Sequence, residues 1–392
     1  MNLLKSSFCR VCLGALVVVV IGVVTINGCG GGRGDEAVST AGGEIGPTQA
    51  AMISAILAAS GNTVISPGYQ ALALAFADLE ASAAEFCSDR TDTNLDALRT
   101  AWQDAMSAWQ YMQAVNFGPI KSLQNGTPRE TRIQTWPEAG TPLANQVDSI
   151  LARAEPIAEQ FIAGQPAQTQ GLPALEYLLF DGVTLADFGN DAPGDRRCDY
   201  VQAASANIAS VAELVAQEWD PAGGDYLTQY TNAGESSGQF ASSELALEEL
   251  VNSMVVVMEV MKARKLADPL AGTGNQTAAE SWRSRYSIED IIRNLEGLRA
   301  AYLAGMDDYL VDLLDGSALD SAIQDQLQQA ISAAQAIAVS ATPSLYEAVI
   351  DPDGRALVQT LLDRVDVLTS LLKNNLSQAL AVVIFFNEND GD

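Results

Sequence analysis

The sequence predicts an all-α protein built as two helical-bundle domains. From about residue 48 onward, large apolar residues recur at steps of three and four, which is the period of a helix with one buried face. Val and Ile residues fall inside these periodic segments instead of alternating with polar residues, so strand signals are nearly absent. Clusters of Gly and Pro separate the segments and mark the connections between helices.

Three segments carry the clearest helical period. They run from Thr93 to Val115, from Ser287 to Leu313 and from Leu357 to Leu380. The stripe of the first segment includes Trp102 and Trp109, which are therefore expected to be core residues. Shorter helices are predicted near residues 49–59, 69–87, 143–163, 199–218, 243–264 and 319–340.

Irregular stretches divide the body of the chain. They cover residues 116–142, 181–197 and 220–242, and the last of these is the best candidate for a domain boundary. We therefore expect an N-terminal helical-bundle domain over residues 48–222 and a C-terminal helical-bundle domain over residues 240–392.

Residues 1–28 have the pattern of a secretory signal peptide. Lys5 and Arg10 precede a short apolar run over residues 13–26, and small residues follow it. The run is shorter than the ~20 residues that a membrane-spanning helix needs, which favours a cleaved signal over an uncleaved N-terminal anchor. The residues before Cys29 are similar to the lipobox of bacterial lipoproteins, and this resemblance implies that Cys29 is diacylated.

The tether and the anchor together predict where the protein resides. Residues 29–47 are Gly-rich and lack an apolar period, so they are expected to form a flexible tether between lipid and folded body. Gly30 stands where an aspartate would resemble an inner-membrane retention signal. We therefore expect a protein of the bacterial cell envelope, held outside the cytoplasm by the lipid on Cys29, with the outer membrane favoured.

Charge and composition narrow the function classes. The chain has a formal charge of −28, and such a surface repels phosphate backbones and attracts cations, so nucleic acid is not an expected partner. The alternative interpretation is that the acidic residues serve only to keep the protein soluble. The chain contains no histidine, which excludes zincin motifs and both Ser-His-Asp and Cys-His catalysis.

Two cysteines remain for the folded body. Cys9 and Cys12 belong to the leader and Cys29 is the acylation site, which leaves Cys87 and Cys198. In an oxidising compartment an isolated pair indicates a disulfide, and a metal or catalytic role for these thiols is the alternative.

Two segments supply candidate ligand-binding residues. Glu176 is the only charge in the apolar stretch from Gly171 to Phe180, so its carboxylate must find a partner or a cation. We interpret Glu176 in one of two ways: it forms a salt bridge with Arg283, or it binds a ligand. Arg283 follows Trp282 and precedes Ser284 in a chain poor in arginine, which indicates a fixed ion pair or an anion contact.

A series of motifs follows in a fixed order across nearly the whole mature chain. The motifs are the Trp102/Trp109 helix with Phe117-Gly118-Pro119, then Trp136-Pro137, Gly171 to Phe180, Arg197-Cys198, Lys265-Leu266 with Pro269, Ser281 to Ser284 with Ser287, and Asn389 to Asp392. Each motif alone is weak, but in this order they specifically resemble the imelysin family of bacterial extracytoplasmic lipoproteins. The resemblance implies an all-helical body of two bundle-like domains, in a family named for a peptidase and linked in many members to iron-regulated uptake.

The chain departs from the signature of that family at one position. The family motif G-x-H-x-x-E falls on residues 171–176, where Gly171 and Glu176 match and Pro173 replaces the histidine. Proline has no donor atom and cannot transfer protons, so peptidase chemistry that depends on the histidine is not expected. A hard cation such as iron or calcium, held by carboxylates with Glu176 as a contributor, remains compatible with the sequence.

Three hypotheses for function follow. The first is a non-catalytic, membrane-anchored protein that binds a metal, a metal chelate or another small molecule. The second is a peptidase that works through carboxylates alone, and the third is a degenerate scaffold that docks with partner proteins. The residues expected to form the ligand site are Trp136, Gly171, Pro173, Glu176, Trp282, Arg283 and Ser284.

Overall fold

The fold is formed almost entirely by helices, which confirms the predicted all-α class. The computed structural model describes residues 47–138, 140, 142–235 and 238–385. The signal peptide, most of the tether, Cys29 and the C-terminal residues 386–392 lie outside the described residues, so the anchor stays a prediction.

Most helices lie within the predicted segments, but the segments predicted over 143–163 and from Ser287 to Leu313 are each divided into two helices. The α-helices are α1 (Pro47–Ser60), α2 (Ser66–Ser88), α3 (Asp92–Tyr111), α4 (Arg129–Ile133), α5 (Leu143–Leu151), α6 (Glu159–Ile162), α7 (Leu172–Leu179), α8 (Ala192–Trp219), α9 (Tyr226–Thr231), α10 (Ser243–Val260), α11 (Asp268–Leu270), α12 (Ser287–Tyr302), α13 (Met306–Leu314), α14 (Ser317–Ala338), α15 (Leu345–Ala348), α16 (Pro352–Ser370) and α17 (Ser377–Leu380).

Shorter elements connect these helices. Five 3₁₀ segments span Met112–Val115, Gly118–Lys121, Ala167–Thr169, Leu185–Phe188 and Gln276–Ala278 within the described residues. Three π-helical segments in the described part of the chain, Gly61–Ile65, Met261–Ala267 and Leu371–Leu376, continue from the α-helices that precede them. Two short antiparallel strands, β1 (Leu123–Gln124) and β2 (Thr127–Pro128), form a hairpin.

The core runs from one packed helix to the next. Helix α8 packs along α2, α2 packs on α3, and α3 packs in turn on α12, which contacts α14. Gly297 makes the contact between α12 and the end of α3 possible, because a Cβ at this position would lie 1.9 Å from the carbonyl oxygen of Tyr111. The described residues form one compact unit. The division into domains 48–222 and 240–392 stays a prediction.

One helical stretch is long and apolar enough to cross a membrane. It runs from Thr48 to Ser88 and is the one such candidate among the described residues, judged by length and composition alone. Leu72, Phe76 and Leu79 are fully buried within it, where α2 packs against α8 and α3. These contacts indicate a core helix rather than a membrane span.

A disulfide joins two of the long core helices. Cys87 in the last turn of α2 is bonded to Cys198 in α8, with the two Cα atoms 5.5 Å apart and a sequence separation of 111. The bridge has the pairing expected from the sequence, and it fixes α2 to the helix along which it packs.

Candidate functional site

Most of the predicted site residues meet in one cavity. It has a volume of about 400 Å³ and lies between the segment after α4, the start of α7 and the loop that precedes α12. Five of the predicted residues line it: Trp136, Pro173, Glu176, Trp282 and Arg283. Ser284 adjoins it through a hydrogen bond to Glu176, whereas Gly171 is not among the residues that line it.

Gly171 sets the position of the helix that carries the motif. It precedes α7 and approaches the backbone of α4 so closely that a Cβ atom would lie 2.1 Å from the carbonyl oxygen of Ile133. The indole nitrogen of Trp102 donates to the carbonyl oxygen of Leu172 at 3.0 Å and holds the first turn from the other side. Gly171 is therefore a packing residue, and its predicted contact with a ligand has no counterpart in the cavity wall.

Pro173 suits the first turn of α7. A backbone nitrogen there has no partner within the helix, so proline loses no hydrogen bond. Its ring forms part of the cavity wall, at the position where the family motif carries an imidazole.

Glu176 is buried and held by the loop before α12. Its side chain is only 5% exposed, and its Oε1 accepts hydrogen bonds from the backbone nitrogen of Ser284 at 2.9 Å and from the Ser284 hydroxyl at 2.8 Å. Its Oε2 lies 4.0 Å from Nη1 of Arg283. Burial outweighs these favourable contacts and raises the pKa of Glu176 to about 6.

Arg283 contacts both acidic and aromatic side chains at the cavity. Its Nη1 donates to Oε1 of Glu138 at 3.0 Å. Its guanidinium lies over the ring of Trp282 at 4.4 Å and over Tyr177 at 5.7 Å, both within cation–π range. Arg283 is therefore fixed by an ion pair with Glu138 and lies 4.0 Å from Glu176. Ligand binding by Glu176 and an anion contact of Arg283 stay predictions.

The loop that carries these residues has an unusual backbone. Ser281 and Arg285 have φ values of 48° and 62°, a region that non-glycine residues adopt at a cost. Glu176 bonds to Ser284 between them, and Arg285 lies over the ring of Tyr346. The carboxylate of Glu176 thus stabilises a loop conformation that the local sequence disfavours.

A buried polar network beneath the cavity was missed by the sequence analysis. Nζ of Lys265 lies 2.6 Å from Oε2 of Glu280 and donates to Gln110 at 2.8 Å and to Asn294 at 2.7 Å. Gln134, which lines the cavity, donates to Oε1 of Glu280 at 2.9 Å. Lys265 stands beside Lys262 and Arg264 in the sequence, so no local signal marks it as the residue that forms this buried ion pair.

Asp290 lies in the first turn of α12 and is fully buried. Burial, with the nearby carboxylate of Glu280, raises the pKa of Asp290 well above its ordinary value. Asp290 is therefore a buried acid close to the site.

The donor set around Glu176 does not suit a bare metal ion. No group of three or more Cys, Asp or Glu side chains converges within the part of the chain that the structure describes. Arg283 places a positive charge near Oε2, and Oε1 already accepts two hydrogen bonds. Glu176 as a metal ligand stays a prediction, and a cation here would need donors from its own chelator.

The raised pKa of Glu176 predicts a specific pH dependence of stability. The group binds its proton more tightly in the folded protein, with a pKa of about 6 against an ordinary value of 4.5. Its contribution is therefore complete below pH 4.5 and is lost as the pH rises through about 6, by about 2 kcal/mol in total.

The test compares the wild type with Glu176→Gln, whose side chain does not titrate. Urea unfolding at several pH values between 4.5 and 7 should show the wild type losing about 2 kcal/mol relative to the variant. A stability difference that stays constant across this range would contradict the pKa assigned to Glu176.

Comparisons with known proteins bear on the family and the fold of the chain. The family model described as Imelysin matches residues 65–372. Iron-regulated protein A of Synechococcus elongatus is 24% identical over 302 residues, which cover 76% of this chain and 75% of that protein.

Two crystal structures share the fold. An imelysin-like protein from Psychrobacter arcticum matches with a TM-score of 0.68 at 21% identity, over 86% of this chain and 98% of that one. A protein described as an iron-regulated protein A precursor from Parabacteroides distasonis matches with a TM-score of 0.65 at 18% identity, over 82% and 95% of the two chains.

Proposed function

The chain belongs to the imelysin family, and from this premise we propose that it is a lipid-anchored, non-catalytic binding protein of the bacterial cell envelope. Its ligand is a small iron-related molecule, held in the cavity beside Glu176. The observation that carries this proposal is that Pro173 and Glu176 both line that cavity.

The absence of a suitable base supports a non-catalytic role. The side chain of Pro173 presents only carbon atoms where the family motif carries histidine, and the whole sequence contains no histidine. The Glu176 carboxylate is engaged by Ser284 and lies near Arg283. A residue that fixes a loop in this way is better placed to shape a binding site than to activate a water molecule.

The walls of the cavity favour an organic ligand or a metal chelate over a bare ion. Trp136 and Trp282 supply aromatic surface, and Arg283 and Glu138 supply charge at fixed positions. A cavity of about 400 Å³ lies within the range of small-molecule sites. Relatives named iron-regulated protein A support a link of this ligand to iron.

Two observations support export to the cell envelope. The leader that ends at Cys29 has the pattern of a lipoprotein signal, and the Cys87–Cys198 disulfide suits an oxidising compartment. The outer membrane is the proposed location because Gly30 follows the acylated cysteine.

A second candidate function is a peptidase that uses carboxylates alone. The observation in its favour is the raised pKa of Glu176, about 6, since a general acid or base works best with a pKa near the working pH. The third candidate, a docking scaffold, has no comparable observation in its favour.

Ligand retention tests the proposed function. We expect the natively purified protein to carry a small molecule that mass spectrometry detects after denaturation, with iron detected by elemental analysis. Trp282→Leu removes one aromatic wall of the cavity, and losing a buried aromatic contact of 1–2 kcal/mol should reduce retention about tenfold.

Phe385→Leu is the matched control, because Phe385 is 53% exposed and lies outside the cavity. It should retain the ligand as the wild type does. A wild-type protein that carries no more small molecule than Trp282→Leu would speak against a binding role and would favour the docking scaffold.

A further inference from the structure

A second cavity of about 400 Å³ lies on the other side of Gln134 and Trp136. Both side chains line both cavities, so they form a shared wall. The ligand site proposed above does not include this second cavity.

One helical face forms a large part of its lining. Glu249, Asn252, Ser253, Val256, Val257 and Val260 of α10 lie at the three- and four-residue spacings that place side chains on one side of a helix. Trp109 and Trp136 line the same space. The cavity therefore has an apolar wall of valines together with two aromatic rings.

Among the charged side chains that line this cavity, one carboxylate has no ion-pair partner within the described residues. Lys265 lies 2.6 Å from Glu280 at the buried end, and Lys121 lies 2.6 Å from Glu130. Glu249 makes no side-chain hydrogen bond or ion pair to the residues that the structure describes. With the two pairs neutralised, the lining carries one net negative charge, at Glu249.

The side chain of Glu249 is exposed, but desolvation at the cavity and the adjacent Glu248 raise the pKa of Glu249, and Lys121 opposes this effect only in part. A cation bound beside Glu249 would favour its charged form.

We propose that this second cavity binds a small organic monocation, an amine with an alkyl or aryl body. Its ammonium group pairs with Glu249, and its body lies against Val256, Val257 and the two tryptophan rings. The charge pair and the burial of the apolar body act together in such a site. The strongly negative charge of the chain raises the local concentration of these ligands.

Benzylamine is a suitable probe, since benzyl alcohol and benzoate are its neutral and anionic counterparts. Calorimetric titration of the full chain should detect benzylamine binding and at least tenfold weaker binding of the other two. Glu249→Gln should weaken benzylamine binding about tenfold, the effect of one charge-assisted hydrogen bond.

Two further variants locate the site. Glu248→Gln is the matched control, because Glu248 is the adjacent carboxylate and does not line the cavity, and it should change the affinity less than threefold. Val256→Trp fills the second cavity from a position that is 37% exposed and absent from the first cavity, so it should abolish binding while the protein stays folded.

Three results would overturn the proposal. They are benzyl alcohol binding as tightly as benzylamine, equal losses in Glu248→Gln and Glu249→Gln, and unchanged binding in Val256→Trp. The second result would mean that the acidic surface as a whole attracts the amine, and the third would place the amine elsewhere.

Discussion

Loss of the Cys87–Cys198 disulfide is expected to lower the free energy of unfolding by about 4–5 kcal/mol. The bridge closes a loop of 111 residues, and the chain-entropy treatment of a loop that long gives this magnitude. Since whole domains are stable by about 5–15 kcal/mol, the reduced protein should be close to unfolding at moderate temperature.

The measurement is urea unfolding of the wild type with and without a reductant. A double variant, Cys87→Ser with Cys198→Ser, should match the reduced wild type and should not respond to the reductant. Detection of two free thiols in the unreduced folded protein would contradict the bridge itself.

Replacement of Gly171 by alanine is expected to destabilise the protein by about 3 kcal/mol, at the upper end of the range for overpacking. The new Cβ would lie 2.1 Å from the carbonyl oxygen of Ile133 and 2.4 Å from that of Arg132. Both are backbone atoms, so relief requires α7 to move away from α4. Because α7 carries Glu176, the shift should also weaken its hydrogen bonds to Ser284.

Gly164→Ala is the matched control for this substitution. The nearest atom to a Cβ at Gly164 is 3.6 Å away, which is ordinary van der Waals contact. Thermal unfolding should show a change within about 0.5 kcal/mol for Gly164→Ala, as for most surface changes. Equal stability of the two variants would refute the close packing of Gly171 on α4.

The sequence contains enough information to predict the helices but not all of their ends. The period from Ser287 to Leu313 predicts one helix, yet the chain breaks between α12 and α13, where Gly305 has a φ of 104°. The predicted helix over 143–163 is likewise two helices, because Pro156 disfavours helical geometry in the residue before it. Apolar periodicity reports which face is buried, and it continues across such breaks.

The candidate site shows the same division between what can and cannot be predicted. The motif residues Pro173, Glu176, Trp282 and Arg283 were predicted to share a site, and they line one cavity. The pairing of Lys265 with Glu280 was not predicted, because a sequence does not show which of many acidic residues approaches a given lysine. Long-range polar partners depend on how the helices pack, and this information is not local.

The central claim is that a family member without the motif histidine binds its ligand and does not cleave peptides. The most direct test is the hydrolysis of fluorescently labelled casein by the purified protein, with and without added divalent metal, in parallel with Glu176→Gln. We expect no cleavage above that of the variant under either condition. Metal-dependent cleavage by the wild type that Glu176→Gln abolishes would contradict the claim and would establish the carboxylate peptidase instead.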